Sequence, residues 1–340
     1  MNRQHNQWSR RDFVHRMALT AAMGTLGAWA TSAQAEPPPE TTRIRLYKSP
    51  ALCFAPQYAV EDLLRAEGFT DVQYLTFPEG GSSVYDRLGS GDVDISQGFA
   101  APFVIQVDRG ASLVLLDGIH VGCFELIGME GVRSITDLKG KTLAVPWRGS
   151  GVETFIAAIL AYVGLDPQKD VNYIVRPPVE TAQLLQAGEI DAYLGFPPLP
   201  QVLRAKGIGH VVLNSSVDRP WSQYFCCLAA GNQEFVRRHP VATKRVLRAF
   251  RKADQICALE PERVARSMVD RGFIDSYDYA LQTLRDVPYG LSREYDPEDT
   301  VRFYALRLHE VGMIKNTPEA IIAQGTNFSF LKELNSELKS

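Results

Sequence analysis

The chain has no basic tract and no disorder-like block; its net charge is −3 over 340 residues, 45% of them apolar and 22% charged. A net acidic chain without a basic face excludes nucleic acid as a partner. The apolar content suits a folded soluble protein with room for two domains. Beyond the first thirty-five residues no run is long or apolar enough to cross a bilayer. Cysteine is also scarce: Cys53, Cys123, Cys226, Cys227 and Cys257 make no C-x-x-C pair and no His/Cys cluster at zinc spacing. The odd count leaves at least one thiol unpaired, and burial as small apolar side chains is the expected role. No metal site and no cofactor are expected.

Phosphate loops and hydrolase elbows are absent as well. G-x-x-x-x-G-K-[ST] does not occur, and the turn "GSGVET" has Thr154 where the dinucleotide pattern needs glycine. Nor is it a G-x-S-x-G elbow. Of six histidines, only His120 and His210 lie near candidate loops, and a core or hinge hydrogen bond is the expected role of each. The acidic pairs "GDVDI" and "GEIDA" recur at matching places, so Asp94 and Asp191 read as satisfying turn and helix-end amides rather than as catalysts. No catalytic set remains, and the chain is read as a non-enzyme.

What is present begins with a leader. "SRRDFVH" is followed by the uncharged run Met17 to Ala33 and then "AQAE". Twin arginines Arg10 and Arg11, a weakly apolar core and an Ala-x-Ala site ending at Ala35 follow the order of an export signal. The motif resembles twin-arginine translocation signals, with Val14 and His15 as departures. It implies cleavage after Ala35, the export machinery as a partner, and a product that folds in the cytoplasm and works in the periplasm.

The remaining chain holds one unit twice. "LYKSPALCFAPQYAVEDLLRAEG", "VQYLTF" and "VYDRLGSGDVDISQGFAAP" are answered by "LAVPWRGSGVETFIAAILAYVG", "VNYIVR" and "TAQLLQAGEIDAYLGFPPL", at offsets of 97 to 99 residues. Each unit reads strand, loop, helix, glycine stop, strand, helix, strand, loop. Val152, Phe155, Ile156, Ile159, Leu160 and Val163 give the second copy's helix, ending at Gly164; its counterpart covers about Pro56 to Ala66. Such alternation predicts βαβ units and a largely parallel sheet, with ligands beyond the carboxyl ends of the strands. Two strand-like stretches, residues 120–129 and 221–230, would form a two-stranded hinge. The expected division is a leader (1–35), a first lobe (43–119), a second lobe (130–217) and a helical remainder (231–340) that completes the first lobe. His120, Cys123 and Cys226 fall on the hinge.

The turn "VPWRGSGVETF" faces the cleft in this arrangement. Arg148 would neutralise an anion, Ser150 would donate a hydroxyl hydrogen bond, and the Gly151 and Val152 amides would add theirs at a helix N-terminus. Phe99, Phe196, Trp147, Trp221 and Tyr224, with few ionisable groups near them, suit an organic ligand rather than a bare metal ion.

"DLKGKTLAVPWRGSGVETFIAAILAYVGLDPQKDV", "GEIDAYLGFPPLPQVLRAKGIG" and "EFVRRHPVATKRVLRAFRKADQICALEPERVA" carry a resemblance. The chain resembles periplasmic substrate-binding proteins of ABC importers, in the nitrate/sulfonate/taurine-binding group that includes thiamine-pyrimidine-precursor binders. The resemblance implies a two-lobe, type II periplasmic binding fold of α/β class that closes over a small organic solute. It also implies a monomer serving an ABC permease and its ATPase. Carried over, ligand contacts fall on Ser49, Pro50 and Ala51; on Gly98, Phe99 and Ala100; on Arg148, Gly149, Ser150, Gly151 and Val152; on Gly195, Phe196 and Pro197; and on Trp221 and Tyr224. "GFAAPF" stands where a more polar loop is common, which favours a ligand with an apolar body. A sensory binding subunit, or an enzyme like the fungal pyrimidine synthases, is the alternative on the same fold. Those synthases carry a CCCFC motif, of which this chain has only "FCC"; strand alternation puts Cys226 and Cys227 on opposite faces, so at most one faces the cleft.

Overall fold

Two parallel strands, β1 (Arg43–Tyr47) and β2 (Asp71–Leu75), open the first half. The computed structural model describes residues 36–49, 51–77 and 83–337; Arg10, Arg11, the cleavage point after Ala35, and Pro50 lie outside them. Beside this pair, β3 (Ile95–Phe99) joins β4 (Leu113–Val121) through β10 (Phe225–Asn232), which runs antiparallel to both. Asp94 ties the two ladders together. Its carboxylate accepts from the Arg45 amide at 2.8 Å and from the Arg45 guanidinium, and its own N–H donates to the Arg45 carbonyl at 3.0 Å.

The second half is one sheet of β5 (Glu125–Gly128), β6 (Thr142–Val145), β7 (Asn172–Val175), β8 (Ala192–Gly195) and β9 (His210–Asn214), in the order β7-β6-β8-β5-β9. β6 is parallel to β7 and β8, while β5 runs antiparallel to β8 and β9. The tie recurs here: the Asp191 carboxylate accepts from the Thr142 amide at 2.8 Å, and its N–H donates to the Thr142 carbonyl at 2.9 Å. Both members of the pair are shifted by the same 97 residues. These aspartates therefore hold strand amides, not helix ends, on the edge of the strand away from its ladder partner, which is Gln73 for Arg45 and Asn172 for Thr142. The first half holds a parallel pair and an antiparallel three-stranded sheet, and the second half one mixed sheet, rather than a largely parallel arrangement, since a strand adjoining a connection between the halves (β10 or β5) pairs antiparallel.

Helices flank both sheets. The helix Gly151–Tyr162 is capped by Ser150, whose hydroxyl oxygen accepts from the Glu153 amide, and Phe155, Ile156, Ile159 and Leu160 are buried along its inner face. Burial of each such side chain contributes roughly 1.5–3 kcal/mol. Its counterpart is divided at Val60 into Ala55–Ala59 and Glu61–Ala66. In the remainder, the run after Asn232 is split at His239 because Pro240 follows it and disfavours a helical residue before it. The helices Pro240–Leu259 and Pro297–Glu310 pack back on the first half, and Pro297–Glu310 also reaches the helix Gly151–Tyr162. Asp296 caps Pro297–Glu310 by accepting from the Glu298 amide at 2.9 Å.

The two sheets are joined by residues 122–124 and 215–224. Ser215 binds one connection to the other: its hydroxyl accepts from the amides of Cys123 (3.0 Å) and Phe124 (2.8 Å), and its N–H donates to the Phe124 carbonyl at 2.9 Å. Gly122 makes this approach possible. Its φ is +53°, and a β-carbon there would lie 2.3 Å from the Ser216 α-carbon. Trp221–Gln223 forms a turn of 3-10 helix rather than extended chain, since Pro220 supplies a turn-like φ of −83° and Trp221 drops into the core.

Candidate functional site

The glycine turn already holds an anion, and it is the protein's own. Glu153 is buried, its carboxylate accepts from the Gly149 amide at 2.5 Å, and it pairs with Arg148 at 2.8 Å. Gly149 has a φ of +83°, which aims its N–H inward at this carboxylate. The Arg148 guanidinium also lies over the Tyr173 ring at 4.8 Å, and Arg148 and Trp147 are both more than half exposed. Arg148 is thus held by Glu153 and Tyr173, and Ser150 uses its hydroxyl oxygen as an acceptor for the helix cap. A helix start leaves the N–H groups of Gly151 and Val152 without intrahelical acceptors, so they and the Ser150 O–H are donors this turn still offers.

Across the seam the loops of the two halves touch. The Leu52 amide donates to the Pro197 carbonyl at 3.4 Å, and a β-carbon on Gly151 would meet the Phe99 ring at 2.6 Å. Phe99 stands 5.1 Å from Phe196, 4.8 Å from Phe124 and 5.9 Å from Phe54 between ring centroids. Edge and tilted contacts of this kind add about 0.5–1.5 kcal/mol per pair beyond area burial. The structure therefore brings Gly98–Ala100, Gly151 and Gly195–Pro197 to one apolar seam. Ser49 and Ala51 lie at its edge, where Tyr58 donates its hydroxyl to the Ser49 carbonyl and accepts from the Ser49 amide.

Trp221 and Tyr224 are elsewhere. Trp221 is buried against Phe155, Tyr162 and Phe303, and Tyr224 stacks on Phe303 at 4.0 Å. Both belong to the packing between Gly151–Tyr162 and Pro297–Glu310, where large rings fill space between helices. Two buried amides were not singled out from sequence. Gln57 donates to the Tyr47 carbonyl and accepts from Ser96 and from the Gln97 amide, while Gln97 donates to the Cys53 carbonyl at 3.1 Å. A lone glutamine carries no spacing signal. Nearby, Glu125 pairs with Arg204 at 3.2 Å, and Arg204 reaches Asp286 at 2.7 Å. Burial raises the Glu125 carboxyl above its ordinary value in spite of Arg204.

Behind the seam the structure gathers four of the five cysteines and one histidine. One nitrogen of His120 and the sulfurs of Cys53, Cys123 and Cys227 all lie within 4.8 Å of one another, and Cys226 Sγ is 2.8 Å from Cys123 Sγ. All five residues are buried, and no disulfide is formed. Burial pushes the Cys53, Cys123 and Cys226 thiols up; Cys227 goes down, because hydrogen bonds from Cys123, Cys226 and Cys53 outweigh its own burial. The expectation that Cys226 and Cys227 take opposite faces fails. β10 is irregular against β4 between Phe225 and Leu228, and such a bulge breaks alternation, so both thiols meet Cys123. The donors come from a 3-10 turn, the end of β4, residues 122–124 and β10, so no local spacing announces them.

Two sheets flanked by helices, joined by paired connections with loops meeting at the seam, define a periplasmic-binding-protein fold. The chain belongs to the NMT1-like family, whose model matches residues 38–270. A protein of Brucella abortus (strain 2308), described only as a binding protein, is 25% identical over 57% of this chain; the match spans 59% of that relative's length. The periplasmic nitrate-binding protein NrtA from Synechocystis PCC 6803 superposes with a TM-score of 0.70 at 17% identity, over 89% of this chain and 90% of its own. The alkanesulfonate-binding protein SsuA from Xanthomonas axonopodis pv. citri, bound to MOPS, gives 0.64 at 17% identity, over 85% and 99%.

Proposed function

We propose that the chain captures a small organic solute in the seam between its two halves and hands it to an ABC permease with its ATPase. The observation that carries this reading is the contact of Gly151 and Pro197 with Phe99 and Leu52: two loop sets meet through apolar surface and one backbone hydrogen bond, with the partly exposed Arg204–Asp286 pair crossing beside them. The joined connections at Ser215 would be the pivot, and the halves would correspond to the lobes 43–119 with 231–340, and 130–217. The phenylalanines favour a solute with an apolar body, and the Gly151 and Val152 amides favour a polar or anionic head on it. Family membership and the nitrate- and sulfonate-binding neighbours support an importer component, as does the leader for a periplasmic site of action. The role is binding without turnover.

A screen of sulfonates, carboxylates and pyrimidine-like heterocycles tests this. A thermal shift with at least one solute, accompanied by a smaller radius of gyration in X-ray scattering, is the expected result. Steady chemical conversion of a bound compound, or no response across the screen, would overturn it.

A further inference from the structure

We propose that Cys53, His120, Cys123 and Cys227 form a closed, four-coordinate site for a thiolate-preferring metal ion of the zinc type. Three sulfurs and one imidazole nitrogen are a donor set that zinc takes in tetrahedral structural sites. Zn–S bonds near 2.3 Å place sulfurs roughly 3.8 Å apart in a tetrahedron, so a set already within 4.8 Å closes on an ion by small side-chain movements.

The histidine supplies a second observation, independent of the spacing. Its Nδ1 lies 3.1 Å from the Gly122 carbonyl and 3.3 Å from that of Val121, which is where an N–H would donate. That leaves Nε2 as the lone-pair nitrogen; it makes no well-formed hydrogen bond although the residue is 0% exposed, and the ring lies against the Cys227 sulfur. A ligating histidine is held in this way, its other nitrogen donating to a backbone carbonyl. The Tyr289 ring packs edge-on at 5.2 Å and its hydroxyl donates to the Cys53 carbonyl, so one residue braces two of the four donors.

Two other readings leave this geometry unexplained. If the thiols only filled space, the Cys227 side chain would partner the His120 ring, but the convergence of Cys53 and Cys123 on the same point would have no role. A Cys123–Cys226 disulfide would use one donor of the set and leave Cys53, Cys227 and Nε2 unpaired. Binding of a divalent ion displaces the three thiol protons to solvent and needs no oxidant or reductant. Because the four donors come from the turn after β1, the end of β4, residues 122–124 and β10, the ion would tie the first half's loop to β4, to β10 and to one connection between the halves. With every donor buried, no position is left open for a catalytic water.

The test is expression of the full chain in cobalt-supplemented medium, with Co2+ as the spectroscopic probe for zinc, followed by elemental analysis and absorption spectroscopy. One metal per chain and intense thiolate-to-cobalt charge transfer with tetrahedral d–d bands are expected. Cys227→Ser and Cys53→Ser should each lose about a third of the charge-transfer intensity, one thiolate in three; Cys226→Ser and Cys257→Ser should keep it. Absence of metal and of charge transfer from the wild-type chain would overturn the proposal without any variant having to fold. So would an unchanged spectrum in Cys227→Ser, or a Cys123–Cys226 disulfide found by peptide mapping of the purified chain.

Discussion

Gly151 and Phe99 meet across the seam so closely that a single methyl group has no room: a β-carbon on Gly151 would lie 2.6 Å from Phe99 Cδ2. Gly151→Ala should therefore push Phe99 aside, destabilising the closed arrangement by about 1–3 kcal/mol as overpacking does. Adding Phe99→Ala should recover part of that loss, since the two sites couple through one contact. Urea denaturation of the four-member cycle checks it; strictly additive effects would show that the contact does not limit packing.

The repeated aspartates should differ in weight. Asp94 is buried and holds the Arg45 amide and guanidinium together, whereas Asp191 is more exposed and holds the Thr142 amide and, at 3.2 Å, Lys141. Charge-assisted hydrogen bonds are worth more when water is excluded. Asp94→Ala should cost about 2–4 kcal/mol and Asp191→Ala about 1 kcal/mol, read as shifts of the denaturation midpoint at constant slope.

Glu125 sets a pH dependence. Burial raises its folded-state value above that of the unfolded chain, so between the two values the native state binds more protons. Stability contributed by this group is then present at low pH and declines as pH rises through that window, opposite in sign to a carboxylate held by an ion pair. Glu125→Gln should flatten this slope in thermal melts taken across mildly acidic pH. A slope that persists in the variant would assign it to another group.

Arg148 should matter less than Glu153. The Arg148 side chain is more than half exposed, and exposed ion pairs contribute about 0–1 kcal/mol. Glu153→Ala strips the buried acceptor from the Gly149 amide and leaves Arg148 unpaired. We expect Arg148→Ala to leave solute capture within a few-fold by calorimetry and Glu153→Ala to weaken it further; the reverse order would restore Arg148 as a direct ligand contact.

The sequence by itself determined the halves of the fold, because strand and helix periodicity are local and the 97-residue offset repeats them in register. The Asp94 and Asp191 pairs show that the repeat reaches individual hydrogen bonds. The Gly98–Ala100 and Gly195–Pro197 loops were legible for the same reason: strand ends in a parallel unit have a known position. What only the tertiary structure decided is which polar groups were already satisfied and which distant residues met. Glu153 occupies the Gly149 amide and Arg148 because the turn folds back on its own helix, and Trp221 and Tyr224 turn to the tail helix because it arrives to cover them. The thiols and His120 converge because a turn, the end of β4, one connection and a bulged strand cross at one point, and a crossing leaves no trace in local spacing.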